Sequence, residues 1–409
     1  MYGHRKRPKG GITMTATTPA TREALVHELV QRVAPAVRAS AAASEAGRRL
    51  APEAMAALID AGIFRTLLPA TYGGADLGPV YGAKLIEEVS RIDSAAGWIT
   101  MICATGSWLT VVLPPQAADE MLADPRAVVC GSFNSQMAAE PVQGGYRVSG
   151  RAAFASGCNY ATWFVAQALV MENGAPKLRP TGMPVALAVF FPAGDAEILD
   201  NWNTLGMRGT GSHDFRVTDI LVPEHRVWPV GPFVPVNPAF ADPLARMGMW
   251  WLTPTLACVS LGIARSAIAD FIELAQTKTP SYTQVGLADK PIVQDQVARA
   301  RAAVDAARSY LYGALATAEE ILQTAPRLSI EQGIPLALAG SFGVEAACRA
   351  VDLVHRCAGT AGIRNEQRFQ QYFRDVHTIS QHAFASSSRY ESVGKLLLGR
   401  ESDWPFYYL

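Results

Sequence analysis

Residues 201–223 read Asn201-Trp-Asn-Thr-Leu-Gly-Met-Arg-Gly-Thr-Gly-Ser-His-Asp-Phe-Arg-Val-Thr-Asp-Ile-Leu-Val-Pro223. Glycine stands at positions 206, 209 and 211, and this density of small residues predicts an irregular turn. The β-branched and aromatic residues from Phe215 to Val222 then predict a strand. A turn that leads into a strand places this stretch in a β domain.

The sequence on either side of this stretch divides into segments of different periodicity. From Thr21 to about Ala123, apolar residues recur at helical spacing. Short β-rich runs separated by turns follow, and they predict an antiparallel barrel or sandwich. These runs are Ala127–Gly131, Tyr146–Ser149, Thr162–Val170, Val185–Phe191 and Phe215–Val222.

A Pro-rich linker, Pro229–Pro243, leads into Ala- and Leu-rich helical patterns that predict a four-helix bundle. They span Leu244–Thr277, Ile292–Gln323, Pro335–Ala358 and Gln370–Leu398. We therefore predict an α+β protein with an extension at 1–20, a helical domain at 21–124, a β-barrel domain at 125–230 and the bundle at 231–409.

Composition excludes several classes of function. Lys plus Arg and Asp plus Glu both number 36, so the balanced charge predicts no nucleic-acid partner and no binding to anionic membranes. No window offers the roughly 20 uninterrupted apolar residues of a membrane span. The six cysteines are scattered without a Cys-x-x-Cys pair, which favours a reduced, cytoplasmic protein. The basic run His4–Lys9 precedes Met14, so residues 1–13 are interpreted as an extension.

Two further stretches complete the pattern, Phe154-Ala-Ser-Gly157 and Phe373-Arg-Asp-Val-His-Thr-Ile-Ser-Gln-His-Ala383. With residues 201–223 and the order of domains, they resemble the acyl-CoA dehydrogenase superfamily. The similarity is closer to its two-component flavin monooxygenases, which use reduced flavin from a partner reductase. The resemblance covers nearly the whole chain after residue 20.

One departure from the dehydrogenases bears on function. They carry a catalytic Glu at the position of Ala383, and some members place it on the first bundle helix instead. No carboxylate lies between Asp242 and Asp270 either. Dehydrogenation of a thioester requires removal of an α-proton by a base. The missing carboxylate therefore argues against dehydrogenation.

The resemblance implies two catalytic residues. Ser156 corresponds to a Ser near flavin N5, where a hydroxyl would hydrogen-bond the flavin and slow the loss of hydrogen peroxide. His382 matches a functional His, which would donate to the peroxide or act as a base toward the substrate. The structural alternatives are a strand-end Ser that satisfies the backbone and a packed helical His. His377, which follows the Arg374-Asp375 pair, is interpreted as structural.

The resemblance also implies flavin contacts. Phe133 and Asn134 correspond to the region that wraps the pyrimidine or ribityl group, and Phe154 precedes Ser156 on the flavin-contacting strand. Gly359, Thr360 and Ala361 resemble a loop that reaches a neighbouring subunit's flavin. Where FAD-retaining dehydrogenases grip the pyrophosphate with Arg, this chain has Tyr282. That difference favours FMN or an exchangeable FAD.

The glycine-rich loop and the histidines carry weaker signals. Residues 208–212 have the small side chains of an anion-cradling loop, but in the related fold this segment is a structural turn. His377 and His382 are five residues apart without an intervening Glu, unlike the pattern of zinc enzymes. We predict no metal site.

These features predict a reduced-flavin-dependent monooxygenase that transfers one oxygen atom from O2, by way of a C4a-hydroperoxyflavin, to a small organic substrate. An aromatic ring is the favoured acceptor. Reduced FMN or FAD would come from a separate NAD(P)H-dependent flavin reductase, because the chain lacks a Gly-x-Gly-x-x-Gly fingerprint. The fold implies a homotetramer. Alternatives are an N-oxygenase of an amine or amino sugar, an acyl-CoA dehydrogenase with a displaced base, and a flavin-binding or scaffold protein without activity.

Overall fold

The computed structural model describes residues 18–409, so the predicted extension at residues 1–13 lies outside the described part. The chain begins with helices that pack on one another, and their starts follow local rules. Thr18 forms a capping box with Thr21, and Pro52 occupies the first turn of the second helix. These helices are α1 Pro19–Gly47, α2 Pro52–Asp60, α3 Gly78–Ile92, α4 Ser94–Trp108 and α5 Pro115–Leu122.

The middle of the chain forms one sheet in the order β6-β7-β2-β1-β3-β5-β8, with β4 paired to β3. Each of the strands predicted from the sequence overlaps an observed strand. The strands are β1 Val129–Val142, β2 Gly145–Ala155, β3 Trp163–Glu172, β4 Ala175–Pro176, β5 Ala186–Pro192, β6 Glu197–Leu199, β7 His213–Pro223 and β8 Val227–Pro229.

The sequence predicted an antiparallel β domain, but one pairing in the observed sheet is parallel. β1 and β3 pair in parallel, from Val129 beside Trp163 to Ala139 beside Val170. The reason is topological: β2 turns back along the outer edge of β1, and the chain then crosses to the opposite edge before β3 begins. The other pairings between these strands are antiparallel.

The last part of the chain forms the helical bundle. Its helices are α6 Pro243–Met247, α7 Leu252–Thr277, α8 Pro291–Ile321, α9 Ile330–Ala358, α10 Phe369–Ile379 and α11 Ser388–Leu397. The fold class is therefore confirmed: helices, then a sheet, then a bundle. The boundaries assigned to the domains remain predictions.

Two helices predicted as continuous are interrupted. A 3-10 turn at Gly248–Trp251 separates α6 from α7, where Gly248 has a φ of 61°. The segment 380–387 separates α10 from α11, so the prediction of one helix over Gln370–Leu398 was wrong. Serines near this break bond to nearby backbone instead of extending the helix; for example, Ser380 Oγ donates to the His377 carbonyl at 2.7 Å.

Helix α4 connects the two hydrophobic cores of the protein. Trp98, Met101 and Trp108 belong to the core shared with the bundle, whereas Ile99 and Cys103 belong to the core shared with the β domain. Three helical segments are long and apolar enough to cross a membrane, but most of their length is buried inside the fold. They are Ser94–Val112, Pro243–Thr277 and Ile330–Ile363. Their apolar character is thus explained by the cores that they form.

Candidate functional site

Ser156 lies just after β2, at the junction between the sheet and α4. Its side chain is buried, with 4% of the residue exposed. The Trp98 indole Nε1 donates a hydrogen bond to Ser156 Oγ at 2.9 Å, and Ser212 Oγ lies 2.7 Å from the same oxygen. A serine that only satisfied a strand end would bond to its own backbone, so these side-chain partners favour a functional placement.

Phe154 sits in a bulge of the strand that delivers Ser156. β2 and β7 pair at Ala152–Phe215 and again at Ala155–His213, so two residues of β2 oppose Asp214 alone. Phe154 takes a left-handed φ of 66° and is 57% exposed. Strained backbone at a non-glycine residue persists only where the surrounding structure enforces it, which is common at ligand sites.

Asp214 holds this bulge in place. Its Oδ2 accepts a hydrogen bond from Arg151 Nε at 2.8 Å, and its Oδ1 accepts one from the Phe154 amide at 3.3 Å. The Phe154 ring meets the Trp202 ring edge to face, with centroids 6.3 Å apart. An exposed aromatic ring is thereby fixed two residues before Ser156, which fits one wall of a site for a planar ligand.

His382 lies in the break between α10 and α11 and approaches the same tryptophan from the bundle. The imidazole and the Trp98 ring have centroids 5.6 Å apart at an interplanar angle of 66°. His382 Nδ1 accepts the Phe384 amide hydrogen at 3.3 Å, which assigns the ring hydrogen to Nε2. The structure thus brings Ser156 and His382 against one indole ring.

Burial controls the charge of His382. Desolvation lowers the pKa of its imidazole to about 4, because the ring of this half-buried residue packs against Trp98 and Phe384 and no carboxylate of residues 18–409 bonds to it. The side chain is therefore neutral near pH 7 and presents an N–H donor. His377, by contrast, forms a 2.8 Å pair with Asp352, in keeping with a structural role. In residues 18–409, no carboxylate bonds to Ser156 or His382, and Ala383 is exposed.

The glycine-rich loop is held by the bundle. The Met207 amide donates to Asp375 Oδ1 at 2.5 Å, and the other Asp375 oxygen accepts the Ser94 hydroxyl. A Cβ atom on Gly206 would lie 2.3 Å from the Arg374 carbonyl oxygen, so only glycine fits there. These contacts favour a structural turn over an anion cradle.

The charged groups of this loop are also occupied. Arg208 bonds to Asn203 Oδ1 at 3.3 Å, and its Nε lies 3.6 Å from Glu45. Glu45 also pairs with Arg374 at 2.9 Å. The Arg208 guanidinium thus already has partners within the chain.

Phe133 and Asn134 occupy an irregular part of β1. The ladder with β3 breaks after Ser132–Ala166 and resumes at Met137–Ala168. β2 pairs with β1 only from Ser135 onward. Phe133 is half-buried and Asn134 is exposed. A strand that leaves its ladder here frees backbone groups for the polar edge of a ligand.

Gly359, Thr360 and Ala361 lie elsewhere, in a 3-10 turn after α9. Gly359 and Thr360 are exposed, and Ala361 is 8% exposed. Within the described chain, no hydrogen bond or ring contact joins this turn to Ser156 or His382. The structure therefore does not bring these residues into the same site on one chain.

The histidines do not assemble a metal site in the described part of the chain. No group of three or more His, Cys, Asp or Glu residues between 18 and 409 is placed to hold a metal ion. His213 is buried, and its Nδ1 accepts the amides of Asn201 and Trp202 at 3.1 and 3.0 Å. His213 thus stabilises the backbone at Asn201 and Trp202 and has a structural role.

Sequence reasoning missed the side chains that connect Ser156 to its surroundings. It did not connect Trp98 with Ser156, and it considered Thr210 and Ser212 only as part of a possible anion-cradling loop. The available signal was the pair of hydroxyl residues within Gly209-Thr-Gly-Ser212. Their orientation toward Ser156 depends on the tertiary fold.

The observed residues fit a flavin by their chemistry. An exposed aromatic ring, a buried hydroxyl, an imidazole N–H and an irregular strand lie at the junction of the sheet and the bundle. A flavin presents a planar apolar body and a polar edge, and such ligands favour a few placed polar groups on an apolar wall.

Comparisons with known proteins agree with a flavin-dependent enzyme of this fold. The acyl-CoA dehydrogenase N-terminal domain model matches residues 17–113, and the C-terminal domain model matches residues 255–387. The chain is 31% identical to a pigment production hydroxylase from Rhodococcus sp., over 91% of this chain and 95% of the relative. It is 30% identical to the oxygenase component of an FADH2-dependent resorcinol hydroxylase from Rhizobium sp., over 90% and 91%. The crystal structure of 3-HSA hydroxylase from Rhodococcus sp. RHA1 superposes with a TM-score of 0.85 at 25% identity, covering 93% of this chain and 98% of that one.

Proposed function

Since this chain belongs to the two-component flavin-dependent monooxygenases of the acyl-CoA dehydrogenase superfamily, we propose that its substrate is a small aromatic molecule. One oxygen atom from O2 is added to that molecule. The observation that carries this proposal is the joint contact of Ser156 and His382 with Trp98. In residues 18–409, no carboxylate bonds to either side chain. The name of the Rhizobium relative, a resorcinol hydroxylase, supports an aromatic ring as the acceptor.

Reduced FMN or FAD supplies the electrons for O2 when it is bound. Ser156 would hydrogen-bond the flavin at N5, and the exposed ring of Phe154 would support one face. The backbone and side chains of Phe133 and Asn134 would bind the polar edge, where β1 leaves its ladder. This arrangement keeps the reactive part of the flavin in the buried half of the site, away from bulk water.

His382 contributes a neutral hydrogen-bond donor. Its hydrogen is on Nε2, and its lowered pKa of about 4 keeps the ring uncharged at physiological pH. The side chain therefore holds an oxygen atom by donating to it, and it does not attract an anion by charge.

The partners follow from the family. The flavin arrives reduced from a separate NAD(P)H-dependent reductase that meets this chain transiently. Gly359, Thr360 and Ala361 are exposed or near the surface at one end of the bundle, where they are free to contact a neighbouring subunit's flavin in a homotetramer. The absence of an Arg at Tyr282, which is fully exposed, supports an exchangeable flavin. We place the enzyme in the cytoplasm, and no step requires a metal.

The experiment is a single turnover with labelled oxygen. Anaerobic protein is loaded with photoreduced FMN or FAD, mixed with resorcinol or indole-3-acetate, and exposed to ¹⁸O2; the product is analysed by mass spectrometry. We expect one ¹⁸O atom in the product. Ser156→Ala and His382→Ala should divert the reaction to hydrogen peroxide, whereas His27→Ala, at an exposed residue of α1, should not.

Other results would point to the alternatives. Label found on nitrogen of an amine substrate would indicate an N-oxygenase. Tightly bound FAD with acyl-CoA-dependent reduction of a dye would indicate a dehydrogenase, and the assignment of Ser156 and His382 would then be wrong. Hydrogen peroxide as the sole oxygen product, with either reduced flavin and with every substrate offered, would contradict the proposal as a whole.

A further inference from the structure

A chain of hydrogen bonds runs from Trp98 through three hydroxyl groups to a backbone carbonyl. Trp98 Nε1 donates to Ser156 Oγ at 2.9 Å, and Ser156 Oγ lies 2.7 Å from Ser212 Oγ. Ser212 Oγ lies 2.7 Å from Thr210 Oγ1, which donates to the Met207 carbonyl at 2.8 Å. The four side chains are 2–8% exposed, so water does not compete for these bonds.

The two ends of the chain fix its direction. An indole N–H can only donate, and a carbonyl oxygen can only accept. Each hydroxyl carries a single hydrogen. Thr210 gives its hydrogen to Met207, so Ser212 must donate to Thr210, and Ser156 must in turn donate to Ser212. The Ser156 hydroxyl then has no hydrogen left to donate, and it can accept one more hydrogen bond through its second lone pair.

The receiving end is firmly anchored. The Met207 carbonyl also accepts the Trp202 indole N–H at 3.1 Å and the Thr210 amide at 3.2 Å. The Met207 amide is held by Asp375 at 2.5 Å. The terminal acceptor therefore cannot swing away to let the chain reverse. Hydrogen bonds aligned in one direction also strengthen one another.

We infer that Thr210 and Ser212 are positioning residues that hold Ser156 as a hydrogen-bond acceptor, and that they thereby make the site select reduced over oxidised flavin. The inference rests on the proposed function, which places flavin N5 beside Ser156. Reduced flavin carries a hydrogen on N5 and donates it, whereas oxidised flavin has only a lone pair there. A serine whose hydroxyl hydrogen is already engaged can accept a hydrogen bond from reduced flavin. It cannot donate one to oxidised flavin, whose N5 lone pair it repels.

The test compares the affinities for the two redox forms. Dissociation constants for oxidised FMN and for photoreduced FMN under anaerobic conditions are measured on the full-length protein. The variants are Ser212→Ala and Thr210→Val, which free the Ser156 hydrogen, and Ser212→Thr, which keeps a hydroxyl. Thr218→Val, at an exposed residue of β7, is the matched control.

We expect the wild type to bind reduced FMN more tightly. In Ser212→Ala and Thr210→Val, the ratio of the oxidised to the reduced dissociation constant should fall by roughly 2- to 12-fold, the range of one neutral hydrogen bond. The potential of the bound flavin should fall in parallel, by about 30 mV for each tenfold change in that ratio. Ser212→Thr and Thr218→Val should leave the ratio unchanged.

A purely structural role gives a different result. If the variants weaken both redox forms by the same factor, the ratio stays constant and the inference is overturned while the flavin site stands. If the wild type binds neither the oxidised nor the reduced form of FMN or FAD, both the inference and the proposed function are wrong. If either Ser212→Ala or Thr210→Val does not fold, as judged by its melting curve, the ratio measured for the other variant tests the inference.

Discussion

Replacing Asp375 with Asn should change how the stability of this protein depends on pH. The Asp375 carboxyl is 1% exposed, and it accepts the Met207 amide at 2.5 Å and the Ser94 hydroxyl. Burial raises the pKa of Asp375 to about 7, and the nearby carboxylates of Glu45 and Asp93 add to the rise. Asn keeps the shape and one acceptor oxygen, but it does not ionise.

The magnitude follows from the difference in pKa between the folded and unfolded states. An Asp in an unfolded chain ionises near pH 4, so the folded protein binds the proton more tightly between about pH 4 and pH 7. A raised acid pKa stabilises the folded state at low pH, and this contribution is lost as the pH rises through 7. One pKa unit is worth about 1.4 kcal/mol, which gives a loss on the order of 4 kcal/mol across this window.

The assay measures the unfolding of wild type and Asp375→Asn at about pH 5 and about pH 8, at one protein concentration. Other groups titrate in both proteins, so their contributions cancel in the difference between the two free energies of unfolding. That difference reports the titration of Asp375 alone. We expect the stability of Asp375→Asn, relative to wild type, to increase by about 2–4 kcal/mol as the pH rises. A difference that stays constant with pH would mean that Asp375 is ionised at both values, and the argument from burial would be refuted.

Three other substitutions, one of them paired with a control, test separate features of the protein. Phe154→Gly should relieve the left-handed φ of 66° and hold or raise stability by up to about 1 kcal/mol, while flavin affinity measured by titration falls. Gly206→Ala should lower the free energy of unfolding by roughly 2 kcal/mol or more, since its Cβ would lie 2.3 Å from the Arg374 carbonyl. Gly194→Ala has open space and should have little effect in the same melting experiment. His382→Gln should lower the rate by a constant factor between about pH 5.5 and 8, because the imidazole pKa of about 4 lies below this range; a step in the wild-type rate that the variant lacks would contradict the neutral donor.

The sequence was sufficient to predict the order of helices, sheet and bundle, because period and turn residues are local signals. It was not sufficient to predict that β1 and β3 run in parallel, since the pairing partner depends on where the chain crosses the sheet. It also missed the break at 380–387. Periodicity continues through that segment, while the serines that interrupt the helix act by side-chain bonds to the backbone.

The same division holds for the site. Ser156 and His382 were identified by their resemblance to a family, and the structure places both against Trp98. The hydroxyl chain through Thr210 and Ser212 could not be predicted, because it joins residues from α4, the turn after β2 and the loop before β7. Their side chains meet only in the folded protein.

The most direct measurement is a structure of the protein with reduced flavin bound. The account predicts the isoalloxazine between the sheet and the bundle, with N5 about 3 Å from Ser156 Oγ and an open space for the substrate beside His382. A flavin bound elsewhere, or a carboxylate facing the reacting carbon of a bound substrate, would contradict the account.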